Sequence, residues 1–288
     1  MNILRTPKAM AAWSQRLHRE GVTIGFVPTM GALHDGHRAL IRAARLQCDA
    51  LVVSIFVNPT QFAPTEDLAK YPRPIAKDRA LCRGEGVDIC FEPGVKAMYP
   101  EGFETVVTVP GIARRWEGEI RPHHFAGVAT VVTKLFGMVR PDVAVFGQKD
   151  FQQAALVQRV IDDLSLGVKL IVHPTVRERD GLAMSSRNVY LSETDRTVAP
   201  ILYKSLLAGA TAIKNGTTAG RKIQSMMTQA LRRESALAVD YLAVCDPDTL
   251  TPLESVRDRA VLLGAIRIGN VRLIDNILVR RPAKRARR

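Results

Sequence analysis

Between residues 6 and 174 short apolar runs alternate with amphipathic stretches, and after Val176 the texture changes. A helix is predicted from Thr6-Pro7, where proline takes the favoured first-turn position. TIGFVP (23–28) reads as a strand, 36–48 as a helix and ALVVSIFV (50–57) as a strand. A further helix from about Ile75 to Arg83 leads into strand-like VDICFEP (87–93). Residues 126–139 and 151–164 read as helices, and VAVFG (143–147) and VKLIVHP (168–174) as strands. Continuous β-branched runs separated by helices mean a parallel sheet covered on both faces. The predicted class is α/β, a doubly wound parallel sheet whose ligands bind at the carboxyl ends of the strands.

Beyond Val176, RERDGLAMSSRN (177–188) is polar and reads as flexible. Two helical patterns (193–215 and roughly 219–235) precede strand-like DYLAVCD (240–246), AVLLGAIRIG (260–269) and VRLIDNILV (271–279). Helices first and adjacent strands afterwards suggest a smaller α+β domain. The expected organisation is a first domain over 1–176, a second over 177–279 and a basic, disordered tail over 280–288.

Composition narrows the function classes. With 288 residues, 47% of them hydrophobic and 24% charged, the chain can bury enough apolar surface to offset its conformational entropy. Its formal charge of +13 asks for an anionic partner, but RRPAKRARR (280–288) carries six of those charges, which leaves +7 on residues 1–279. Aromatic residues are only 6% and none lies in the tail, so a base-stacking nucleic-acid platform is poorly supported. Cys48, Cys82, Cys90 and Cys245 form no CxxC pair and read as reduced, mostly buried small hydrophobes. No apolar run approaches the roughly 18 residues of a membrane span, and MNILRTPKAM lacks the features of a signal peptide. A soluble, cytoplasmic protein is expected.

Four segments carry candidate chemistry. PTMGALHDGH (28–37) ends the first predicted strand. A helix then begins near His37, and a helix N-terminus attracts phosphate through its amides and dipole. His34 and His37, three apart, can face one ligand and stabilise charge building on a pentacoordinate phosphorus. The competing structural reading makes His34 a turn residue and His37 a helix-start residue. FGQKDFQQ (146–153) follows a buried-type strand, with Gly147 permitting the turn, Lys149 a mobile cation and Gln153 on the next helical turn. Asp150 there also suits a plain helix cap. MSSRN (184–188) offers two hydroxyls and a guanidinium for a phosphate or leaving pyrophosphate, or else helix-capping residues in a linker. SIFVNPTQF (54–62) sets Asn58, Gln61 and Phe62 beside apolar surface, a mixture suited to a small hydroxylated, branched ligand.

These motifs, with YPR (71–73), RPHHFAGVATVVTKLF (121–136) and VRERDGLAMSSRNVYL (176–191), are ordered and colinear. Together they resemble the pantoate–β-alanine ligase family of the HxGH nucleotidylyltransferase superfamily, and DYLAVCD and RLIDNI are similar to that family's C-terminal domain. The resemblance implies a Rossmann-like domain binding ATP and pantoate. It also implies condensation of (R)-pantoate with β-alanine to pantothenate, AMP and pyrophosphate through a pantoyl-adenylate. ATP is thus expected as substrate, with magnesium accompanying it, and a homodimer is expected.

Carried over by motif, Met30, Gly31, Ala32, Leu33, His34, Asp35, Gly36 and His37 would line the ATP site, with His37 as proton donor. Gly147, Gln148, Lys149, Asp150, Val176, Met184, Ser185, Ser186 and Arg187 would complete it. His34, His37, Lys149, Ser185, Ser186 and Arg187 are the expected catalytic set, Gln61 would bind pantoate and β-alanine, and Gln153 pantoate. Three positions depart from the family pattern: His123 replaces a small residue, Gln148 replaces Glu in many members and Lys77 an acidic residue in some. The last two remove possible magnesium ligands and leave Asp78 as a candidate, with no protein ligand assigned. Two other readings are carried: another HxGH nucleotidylyltransferase with a phosphorylated substrate, and a nucleic-acid-binding module using the tail.

Overall fold

Thr6 caps the first helix through its hydroxyl, which accepts from the Ala9 amide at 3.2 Å, and Pro7 follows where its missing N–H costs nothing. The computed structural model describes residues 1–64, 66–232, 234 and 237–282. The chain divides into two compact units, one over Met1–Gln148 and Gln152–Pro174, the other over Lys149–Phe151 and from Thr175 onward.

In the first unit the elements run β1 (Asn2–Leu4), α1 (Pro7–Arg19), β2 (Ile24–Thr29), α2 (Asp35–Arg45), β3 (Ala50–Ile55), α3 (Ile75–Gly84) and β4 (Ile89–Phe91). Three short helices follow, α4 (Val95–Met98), α5 (Pro110–Ala113) and α6 (Glu117–Ile120), and then α7 (His124–Val139), β5 (Val143–Gly147), α8 (Phe151–Asp163) and β6 (Lys169–His173). The six strands form one sheet in the order β1-β4-β3-β2-β5-β6, and every pairing is parallel. β1 is absent from the sequence reading because NIL is too short to show a period.

Alternation along β2 builds both faces of the core. Phe26 meets Phe136 of α7 edge-to-face at 6.2 Å, whereas Val27 packs with Ile41 and Ala44 of α2 and with Val143 and Val145 of β5. From β2 the chain proceeds to β3 and β4 on one side and returns to β5 on the other. The carboxyl ends of β2 and β5 are therefore the topological switch point, where open α/β sheets bind ligands.

The second unit contains α9 (Glu193–Val198), α10 (Ile201–Lys214), α11 (Gly220–Leu231), β7 (Leu237–Cys245), β8 (Arg259–Ile268) and β9 (Val271–Arg280). Its three strands are antiparallel in the order β7-β8-β9, and α10 and α11 supply Leu206, Ile213, Ile223 and Met227 to a core shared with Leu242, Leu262 and Ile266. The pattern read as one helix over 193–215 breaks at Ala199-Pro200, since proline has no N–H to continue the ladder. The expected tail begins later than residue 280, because Arg280 pairs with Arg259 in the sheet. Residues 283–288 lie outside the described residues.

Candidate active site

The turn after β2 is held by side chains at both ends. Gly31 has φ +86° and Ala32 φ +52°, successive left-handed residues of which the second carries a Cβ at some strain. Thr29 Oγ1 accepts from the Gly31 amide at 3.2 Å while donating to the Ser54 carbonyl at 2.7 Å. Asp78, reaching in from α3 and only 2% exposed, accepts from the Ala32 amide at 2.9 Å and the Leu33 amide at 2.8 Å. Burial pushes its carboxyl above the ordinary range and the two amides pull it back.

His34 is the cap residue of α2, and the two histidines cap reciprocally. The Gly36 amide donates to His34 Nδ1 at 3.1 Å, the His34 amide donates to His37 Nδ1 at 3.3 Å, and the rings stand 4.2 Å apart. With Nδ1 accepting, Nε2 is the nitrogen of each ring left to donate to a ligand. The His34 and Gly36 amides are thus engaged within the turn, and the side-chain chemistry it carries is that of two imidazoles at the positive end of a helix. Asp35, in the first turn, pairs with Arg38 at 2.6 Å.

Beside β3, Asn58 is 1% exposed and fully bonded. Its Nδ2 donates to Gln61 Oε1 at 3.0 Å and to the Gly127 carbonyl at 3.2 Å, and its Oδ1 accepts from the Tyr99 hydroxyl at 2.8 Å. With its oxygen so occupied, the Gln61 amide presents its NH2 as a donor. The Gln61 carbonyl accepts from Arg121 at 3.1 Å and lies 3.0 Å from His124 Nδ1. Burial pushes His124 down to about 4. Gly127 makes the approach of α7 possible, for a Cβ there would stand 2.3 Å from the Thr60 carbonyl oxygen. His123, the departure in RPHHF, is exposed at the cap of α7 and disturbs none of this packing.

Adjacent glutamines on α8 have different surroundings. Gln152 is buried and tied to the Ile112 and Arg115 carbonyls, each at 2.8 Å, and to the Glu117 amide at 3.2 Å. Gln153 has none of these bonds and is half-buried.

Within the second unit, Lys149 stands 3.5 Å from Asp150, and its carbonyl accepts from Asn276 Nδ2 at 2.9 Å. The segment expected to be flexible is cross-braced. Arg177 makes a bidentate pair with Asp275 at 2.5 and 2.9 Å, donates to the Gly181 carbonyl at 3.0 Å and lies 3.9 Å over the Tyr203 ring. Arg196 spans Glu178 at 2.5 Å and Asp180 at 2.6 Å. The Met184 amide donates to the Val176 carbonyl at 3.0 Å, and Ser185 caps a short 3-10 turn over Ser186–Tyr190 through the Arg187 amide at 3.2 Å. Its order comes from bonds within the segment together with Asp275, Arg196 and Tyr203 beyond it, and local polarity cannot reveal those outer partners. Sequence reasoning missed Asp275 and Asn276 as site-shaping residues, although an acidic residue inside an apolar strand run was an available signal.

The structure therefore brings His34, His37 and Asp78 together at the end of β2, and Asn58 with Gln61 at the end of β3. Ser185 and Arg187 share one turn, and Lys149 joins Asn276. Among the described residues no three His, Cys, Asp or Glu side chains converge as a metal cage, and no helix is long and apolar enough to cross a membrane. All four cysteines are thiols outside any disulfide.

A Rossmann-like α/β fold with a smaller C-terminal unit, carrying a histidine-capped helix at its switch point, defines the class as a nucleotide-handling enzyme. The sequence profile described as Pantoate-beta-alanine ligase matches residues 2–278, and the chain belongs to that family. It is a ligase that joins pantoate to β-alanine. Among its relatives, pantothenate synthetase of Moorella thermoacetica is 47% identical over 97% of this chain and 99% of its own. That of Rhodopseudomonas palustris is 49% identical over 96% and 98%. The crystal structure of the Thermus thermophilus enzyme superposes with a TM-score of 0.91 at 47% identity, covering 96% of this chain and 99% of that one. The Francisella tularensis ligase, complexed with beta-gamma ATP and beta-alanine, has a TM-score of 0.79 at 34% identity over 96% and 97%.

Proposed function

We propose that the enzyme activates (R)-pantoate with ATP, releasing pyrophosphate, and that the amine of β-alanine then attacks the acyl carbon of the pantoyl-adenylate and releases AMP. The observation that carries this reading is the reciprocal histidine cap at the switch point. A carboxylate attacking the α-phosphorus needs alignment and charge neutralisation more than an enzyme nucleophile. His34 and His37 supply Nε2–H hydrogen-bond donors where negative charge grows, and the family pattern assigns the proton-donor role to His37. Met30 to His37 are assigned to ATP, as are Gly147, Gln148, Lys149, Asp150, Val176 and Met184. Lys149, Ser185, Ser186 and Arg187 are assigned to its phosphates on the family pattern.

Gln61 suits the acceptor atoms of both small substrates, because its amide offers N–H to a hydroxyl or carboxylate. Gln153 is assigned to pantoate, since Gln152 is committed to the fold. Magnesium is proposed to arrive with ATP, because the described residues offer no protein cage for it. A homodimer and a cytoplasmic location are inferred from the family.

Pyrophosphate exchange into ATP tests the sequence of steps. Exchange should require pantoate and proceed without β-alanine, and exchange indifferent to pantoate overturns the reading. His37→Ala should reduce exchange by about 100-fold or more, in line with a lost proton donor, while stability falls by no more than the ~1 kcal/mol of a lost cap contact. A variant that exchanges normally removes His37 from the chemistry.

A further inference from the structure

Asp78 is the acidic residue that the departures at Lys77 and Gln148 leave as the remaining candidate metal ligand, yet its surroundings argue for another use. Its two carboxylate oxygens are divided between successive amides, Oδ2 with Ala32 at 2.9 Å and Oδ1 with Leu33 at 2.8 Å. A carboxylate that is 2% exposed and packed against Gly31, where a Cβ would already stand 3.0 Å from Oδ2, has no room for a cation with its coordinating waters. The amides it holds belong to the two-residue left-handed turn, with φ +86° at Gly31 and +52° at Ala32. Consecutive amides in such a turn form a concave anion site. Here the anion is the protein's own carboxylate, and the strain at Ala32 persists because its surroundings over-determine it.

We propose that Asp78 is a positioning residue for nucleotide binding: its carboxylate is an internal anion that locks the Gly31–Leu33 turn and so sets His34 and His37, and it is not a ligand of magnesium. This rests on the assignment of the turn to ATP. The two readings separate in experiment, because the ATP assignment is tested by His37→Ala and the Asp78 role by the backbone itself. Asn58 and Gln61 lie on a different strand end, so pantoate affinity is independent of the clasp.

Amide hydrogen exchange on the parent enzyme, resolved at Ala32 and Leu33, is the first measurement. Both amides should be protected without nucleotide, and protection should be the same with magnesium chloride alone as with chelator. Free exchange at both sites, or protection that appears only with magnesium, overturns the proposal. Asp78→Asn, which keeps the shape and one acceptor oxygen, should lose protection at one of the two amides and raise KM for ATP about tenfold, the size of one lost charge-assisted hydrogen bond. KM for pantoate and the magnesium concentration giving half-maximal exchange at saturating ATP should stay within about twofold. A magnesium requirement that rises while KM for ATP holds, or kinetics and protection identical to the parent, overturns it. If His37→Ala exchanges normally while the Asp78→Asn protection pattern appears, the ATP assignment fails and the clasp stands.

Discussion

Two buried carboxylates do opposite work in this molecule. Asp78, in the first unit, is surrounded by neutral amide donors, whereas Asp275, in the second, faces the full charge of Arg177. Burial pushes both carboxyls above the ordinary range. The opposing pull comes from two backbone hydrogen bonds in one case and from a guanidinium in the other. An amide pair fixes backbone dihedrals, which suits a turn that must aim two imidazoles. An ion pair fixes a chain segment to a distant strand, which suits 177–188, whose own regular structure is one β-bridge from Arg177 to Ala183 and one short turn. Neutral and charged clasps therefore fail differently when broken.

The largest effect is expected at the charged clasp. Asp275→Ala leaves the half-buried Arg177 guanidinium without its counter-charge and should cost about 3 kcal/mol in denaturant unfolding. Removing both charges as Arg177→Met with Asp275→Leu should recover most of that loss. A double variant no more stable than the single one means the charges are not the cause.

The neutral side of the comparison has its own pH signature, at His124 against the Gln61 carbonyl. Burial lowers this imidazole from 6.5 to about 4, so the unfolded chain takes up the proton first. The stability it contributes is whole above pH 6.5 and is lost as pH falls from 6.5 towards 4. Over that window unfolding free energy should drop by up to ~3 kcal/mol, and His124→Gln should flatten the drop. Equal slopes in parent and variant exclude His124.

Sterics give the next effect. Gly127→Ala drives a Cβ against the Thr60 carbonyl oxygen, and should cost about 1–3 kcal/mol while weakening pantoate binding by shifting Gln61. Unchanged pantoate KM in a destabilised variant would separate the packing from the site. The smallest stability effect distinguishes the glutamine neighbours. Gln152→Ala leaves buried carbonyls without donors and should cost about 1–3 kcal/mol. Gln153→Ala should leave the melting temperature within about 1 °C, a change below ~0.5 kcal/mol, and raise KM for pantoate. A reversal of these two phenotypes would exchange their roles.

Every strand but β1, and the motifs between the strands, were legible in the sequence. VAVFG occupies β5 residue for residue, and the Thr6-Pro7 start of α1 is where capping chemistry places it. Local rules sufficed there because apolar period and cap residues act over a few positions. They failed at 193–215, where Pro200 divides the pattern, and at 177–188, where polar composition hid two arginine clasps.

Residue order alone dictates which atoms can do chemistry: two histidines three apart before a helix, amides after a strand, hydroxyls beside an arginine. Hydrogen-bonding capacity is a property of the side chain and survives any fold. Packing settles which of those capacities are already spent. Asp78 lies 46 residues from Ala32 and Arg177 lies 98 from Asp275, and each pair exists only because the fold closes the loop between them. Only that closure turns the Ala32 and Leu33 amides inward onto a carboxylate and pins Arg177 to a distant strand.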